Sequence, residues 1–267
     1  MNYLTENIGL HRTAMNAEVP YSWREYSSWR FISEISRRWP GRFRVFQCPY
    51  AGGLGDTSVW YLNERSDHEF LGKPAIYVNN IGSITVAGHN EGHDCELNSQ
   101  TEQELDSAIA TLDIMMATNL GHLLLDIESC FQGWSPDETP QTRNDTIGQR
   151  LIAECLGLRL HSTVPLRVTG FLYDGVDKRE DLVEHYPELV KSYEAEPDRR
   201  SQVFFVQESQ GNPVDANEPG RSLFAVDLAE GILHIGTKSF DLMQSYASHE
   251  RSIPQLAWEI LASDKFK

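Results

Sequence analysis

The sequence predicts an α+β fold of two similar units, each an antiparallel sheet packed on helices. Two observations lead there. Amphipathic segments that open with helix-start signals alternate with β-rich runs bounded by glycine, asparagine and proline. The order helix, strands, terminal hairpin, helix then occurs twice, with the hairpins at residues 75–86 and 223–235 in corresponding places. The expected division is a flexible arm over residues 1–21, a first unit over 22–131, a linker over 132–145 and a second unit over 146–267.

Residues 1–20 are polar and aperiodic and close with Pro20, as a poorly ordered arm does. Ser22-Trp23-Arg24-Glu25 has the form of a capping box. Trp29, Ile32, Ile35 and Trp39 follow at helical spacing, with Arg37 and Arg38 near the carboxyl end where the helix dipole favours cations. Pro40-Gly41 stops the helix. Alternation over Phe43 to Gln47 sets Phe43 and Val45 on one strand face and Arg44 and Phe46 on the other. Gly52, Gly53 and Gly55 turn the chain into the β-rich run from Thr57 to Leu62. No helix start and no GK[ST] ending follows these glycines, which speaks for a turn over a phosphate cradle. Ala75 to Asn79 and Ser83 to Val86 flank Asn80-Ile81-Gly82 as a hairpin. Thr101-Glu102-Gln103-Glu104 is a second capping box, and Leu105, Ala108, Ile109, Leu112, Met115 and Met116 form the stripe of its helix.

Residues 132–145 carry Gly133, Ser135, Pro136, Asp137, Pro140 and Asn144 with few apolar residues, hence the linker. Beyond it Asn144 or Asp145 can cap a helix carrying Ile147, Leu151, Cys155 and Leu158, stopping near Gly157. Val164 to Tyr173 reads as a strand, the acidic stretch from Arg179 to Glu196 as helix around Pro187, and Gln202 to Val206 as a buried strand. Leu223 to Leu228 and Ile232 to Ile235 pair across Ala229-Glu230-Gly231. Helix is expected to close the chain, with Phe240, Met243 and Tyr246 on one stripe and Ile253, Leu256, Trp258, Ile260 and Leu261 near the end.

Composition narrows the function classes. With 23 basic and 39 acidic residues the formal charge is −16, a field that repels phosphate backbones and anionic lipid. Neither nucleic acid nor membrane is therefore expected as a partner. Cys48, Cys95, Cys130 and Cys155 are far apart and form no CxxC pair, as in a reduced cytoplasmic protein. The longest apolar runs fall far short of the ~20 residues that span a bilayer.

Few residues are spaced for chemistry. His89-Asn90-Glu91-Gly92-His93-Asp94-Cys95-Glu96 gathers potential metal ligands, with His89, His93, Asp94 and Cys95 as the candidate set. The pattern is HxExH, whereas two histidines share a helix face in HExxH, and Gly92 disfavours a helix there. A metal-dependent hydrolase built on this loop is one alternative, set against a solvated polar loop. No GxSxG is present, no cysteine has a nucleophile-like setting, and the remaining histidines are scattered. No catalytic residue and no cofactor is expected.

A family resemblance enters through several short motifs. Ser28-Trp29-Arg30 leading to Glu34, Arg37-Arg38-Trp39-Pro40, Phe43-Arg44-Val45, the run from Cys48-Pro49 through Gly52-Gly53-Leu54-Gly55-Asp56, and Ile81-Gly82-Ser83-Ile84 resemble bacterial YbjN-like proteins and the type III secretion chaperones. Coverage is about the first third of the chain, with the second half alike in element order and in Gly170-Phe171-Leu172. The resemblance implies a sheet backed by helices and binding of a peptide or protein in place of catalysis, by a homodimer or by a monomer of two fused units. Phe46, Trp60 and Tyr77 are the candidate sheet-face aromatics for such a peptide. An immunity-type inhibitor of a basic partner is the third reading, since acidic charge steers such encounters.

Overall fold

The computed structural model of the chain describes residues 20–38, 43–47, 59–64, 76–79, 83–86, 95–117, 140–170, 186–195, 203–209, 221–242, 244 and 252–262. In chain order these form α1 (Tyr21–Arg38), β1 (Phe43–Gln47), β2 (Val59–Glu64), β3 (Ile76–Asn79), β4 (Ser83–Val86), β5 (Cys95–Asn98) and α2 (Glu102–Ala117). Then come α3 (Pro140–Leu158), β6 (Leu166–Gly170), α4 (Pro187–Ala195), β7 (Val203–Glu208), β8 (Ser222–Asp227), β9 (Ile232–Ile235), β10 (Lys238–Asp241) and α5 (Ile253–Ala262). The fold is mixed α and β, as the alternating periodicities predict. Strands β1–β5 form one five-stranded sheet and β6–β10 another, each in sequence order and antiparallel throughout. The two expected hairpins are the third and fourth strands of their sheets, closed by Asn79 opposite Ser83 and by Asp227 opposite Ile232.

α1 lies at the centre. Its apolar stripe, Trp29, Phe31, Ile32 and Ile35, is wholly buried, each side chain contributing about 2 kcal/mol by the area it removes from water. It packs on α3 most extensively, and also on α2, β3 and β6. The Trp29 ring meets Phe204 of β7 edge-on with centroids 5.1 Å apart, so the helix of the first sheet reaches the core of the second. Side chains from both sheets and from α1, α2, α3 and α5 thus form one continuous apolar cluster. Trp39, expected on the same stripe, is outside the described residues.

Helix starts follow local chemistry, once as expected and twice differently. At α2 the capping box forms in both directions: the Glu104 amide donates to Thr101 Oγ1 at 3.2 Å and the Thr101 amide to Glu104 Oε2 at 3.0 Å. Thr101→Ala is expected to cost about 1 kcal/mol in urea denaturation. α1 starts ahead of the expected Ser22 cap. The Pro20 carbonyl accepts from the Trp23 and Arg24 amides, which starts α1 ahead of Ser22 and leaves Glu25 buried within the helix. Likewise α3 begins at Pro140, inside the expected linker, so Asn144 and Asp145 are helix interior and not caps. Proline suits a first helical turn, where its missing N–H has no intrahelical acceptor to satisfy.

Two strands were not anticipated, β5 and β10, and each is the last strand of its sheet. Phe240, assigned to a helical stripe by spacing, stands in β10 opposite Leu233. The cause is a tight turn: Ile235 pairs with Lys238, and Gly236 takes a φ of +56°, which folds the chain back after β9.

Candidate functional site

Register decides which side chains share a face. In the first sheet Val45, Leu62, Ile76, Val86 and Cys95 stand opposite one another across the five strands, and Gln47, Trp60, Val78, Ile84 and Leu97 form the next row. Val45, Ile76, Val78, Ile84 and Val86 of these rows are buried under α1 and α2, which fixes them as the core side. The opposite side carries the row Phe46, Tyr61, Tyr77, Thr85 and Glu96, flanked by Arg44 with Asn63 and by Val59, Asn79, Ser83 and Asn98. Ser83 and Thr85 are half-buried, and Glu96 and Asn98 are exposed.

The expected aromatic trio is therefore split. Phe46 and Tyr77 occupy the same outer row, whereas Trp60 takes a core-row position opposite Val78. Tyr61, not among the three, stands between Phe46 and Tyr77 in the same row. The run Val59-Trp60-Tyr61-Leu62 is apolar at every position, so alternation alone cannot assign its faces; pairing with the better patterned β3 can.

The second sheet treats its outer face differently. The connection from β6 to β7 contains α4, and Tyr186 and Leu189 at its start are buried with Val203, Phe205 and Ala225 in a separate small cluster. Tyr186 lies 5.7 Å from Phe205 between ring centroids and 2.7 Å from Ser222 by its hydroxyl. Burial pushes the Tyr186 phenol up to about 12, against a smaller opposing effect of the Ser222 hydrogen bond. Beside this cluster Gln207 is buried, and its Oε1 accepts from Arg167 Nε at 3.2 Å and from the Thr169 hydroxyl at 3.4 Å.

His234 lies on the same side, opposite Ala225 on β9. Its Nδ1 is 3.0 Å from the Ser239 hydroxyl, and among the described residues its buried Nε2 has no hydrogen-bond partner. Burial lowers the imidazole pKa to about 4. A group whose folded pKa is depressed contributes stability that is complete above its unfolded value, here near 6.5, and lost as pH falls toward 4. We expect the urea midpoint to fall across that window by the equivalent of about 2 kcal/mol, allowing for solvent screening, and His234→Gln to remove that part of the pH dependence.

Of the candidate metal ligands, His89, His93 and Asp94 are outside the described residues, and Cys95 opens β5 opposite Val86. Among the described residues no group of three His, Cys, Asp or Glu side chains is arranged to hold a metal ion. Cys155 is a buried free thiol, its pKa raised by desolvation, as expected of a packing cysteine. No described helix is long and apolar enough to cross a membrane.

A five-stranded antiparallel sheet backed by helices on one face defines an α+β scaffold. The chain belongs to the family described as T3SS (YopN, CesT) and YbjN peptide-binding chaperone 2, whose model matches residues 26–265. The match bears out the motif resemblance and carries it from the first third of the chain through the second sheet. No curated protein and no solved structure matches the chain.

Proposed function

We propose that this protein is a non-catalytic, cytoplasmic peptide- or protein-binding chaperone whose binding surface is the outer face of the first sheet. One observation carries the reading: the row Phe46, Tyr61 and Tyr77 lies on the side of the sheet away from α1 and α2, in a chain whose family is named for peptide binding. Trp60 belongs to the scaffold in this account. The experiment is to select peptides against the full chain by display and to measure their affinity by fluorescence anisotropy. Tyr77→Lys is expected to weaken binding about tenfold, the loss of one well-placed aromatic contact. Equal affinity for the wild-type chain and for both Tyr61→Lys and Tyr77→Lys rules the face out.

The same reading treats the chain as two fused units, and residue-level coincidences support it. Arg30-Phe31-Ile32-Ser33-Glu34-Ile35 in α1 and Arg150-Leu151-Ile152-Ala153-Glu154-Cys155 in α3 share the same succession of buried and half-buried positions. By register Arg44 and Val45 correspond to Arg167 and Val168, and the β2 residues Val59, Tyr61, Asn63 and Glu64 to Val203, Phe205, Gln207 and Glu208. The corresponding helices α1 and α3 pack on each other and the corresponding strands β1 and β6 come into contact, as in an isologous dimer. A monomer is the expected species, and light scattering on a sizing column checks it: the mass of one chain is predicted, that of two contradicts it.

A further inference from the structure

We infer that the partner meets the outer face of the first sheet as a short amphipathic helix with an aromatic residue at its start and a leucine three residues later; this rests on that face being the binding surface. The second sheet supplies the reason. Its outer face already holds such a helix, α4, with Tyr186 and Leu189 seated on Val203, Phe205 and Ala225. Counting register from the core rows, Val59, Tyr61 and Tyr77 of the first sheet take the places of those three residues. Arg44 opposite Asn63 repeats the positions of Arg167 and Gln207, the hydrogen-bonded pair at the border of the α4 seat.

Backbone chemistry favours a helix over an added strand. The amides and carbonyls of β2, β3 and β4 are committed to neighbours on both sides, so this face offers side chains only. An added strand needs an edge. One edge strand of this sheet, β1, is in contact with β6 of the second sheet. A helix satisfies its own backbone and can press one stripe onto a face.

The test uses the full-length chain and a fluorescent peptide of residues 185–196, supplied as a side-chain-stapled helix. A second peptide carries Val190→Pro to break the helix. The stapled helix is expected to bind, and to lose at least tenfold in affinity to the Tyr77→Lys chain. The proline peptide is expected to bind at least tenfold more weakly than the helix. Equal binding of both peptides overturns the helical mode, and so does binding of the helix that Tyr77→Lys leaves unchanged. If display-selected extended peptides bind the face while the helix does not, the inference falls and the binding face stands. If neither class binds, both fall. Self-association abolished by Tyr77→Lys would identify a second copy as occupant and would also overturn it.

Discussion

Trp29→Ala is expected to lower the stability of the whole chain by about 4 kcal/mol, the cost of emptying a fully buried indole site. Trp29 is wholly buried on α1, and its ring stands edge-on to Phe204 at 5.1 Å. The indole therefore joins the helix that backs the first sheet to the core of the second. Removing it takes away apolar burial, an aromatic contact and the filling of a junction that both sheets line. Because the apolar cluster is continuous across that junction, the loss is expected in one cooperative transition. Circular dichroism reports both sheets together, and intrinsic fluorescence follows the remaining tryptophans. Coincident urea curves displaced to lower midpoint are predicted; a transition in which one sheet melts first and the other keeps its wild-type midpoint contradicts the shared core.

Gly148→Val is the second large effect, at about 3 kcal/mol, near the upper end of what overpacking usually costs. A glycine inside α3 gives up about 1 kcal/mol of helix propensity relative to alanine, so packing must favour it. A Cβ at this position would stand 2.5 Å from Leu228 Cδ2 and 2.9 Å from Val226 Cγ1, both buried side chains of the second sheet region. Val226 is β-branched and held at 0% exposure, and it has little freedom to yield. Gly157 is the internal comparison. Its added Cβ would approach only the half-buried Tyr26 ring, at 3.1 Å, so Gly157→Ala is expected to change stability by less than about 1 kcal/mol. Chemical denaturation of both variants checks the contrast, and a Gly148→Val chain as stable as wild type would contradict the close approach of α3 to the sheet.

What could be read from residues alone followed from how strongly local chemistry and burial agree. The hairpin of β3 and β4 has alternating apolar residues and a turn that tolerates left-handed geometry, and it pairs as expected. Thr101 and Glu104 are both cap and helix former, so α2 starts where its sequence says. By contrast, β5 and β10 read Cys-Glu-Leu-Asn and Lys-Ser-Phe-Asp, with too little apolar alternation to announce a strand. Edge strands have one neighbour and little to bury, so their pattern is weak by nature. The outer face of the first sheet was half legible for a related reason. Arg44 and Phe46 alternate with buried Phe43 and Val45, whereas β2 is apolar on both sides and hid Tyr61 behind Trp60. Only pairing across three strands resolves that ambiguity. The start of α3 was obscured by composition, since Pro140 resembles a linker residue until it is seen in a first helical turn.

Hydrogen exchange on the full chain, with and without a saturating display-selected peptide, tests the proposed binding face most directly. New protection is predicted in residues 59–64, 76–79 and 83–86, whose outer rows hold Val59, Tyr61, Tyr77, Ser83 and Thr85, and it should vanish in Tyr77→Lys. Protection confined to the second sheet or to the helices, and unchanged by Tyr77→Lys, would contradict the account.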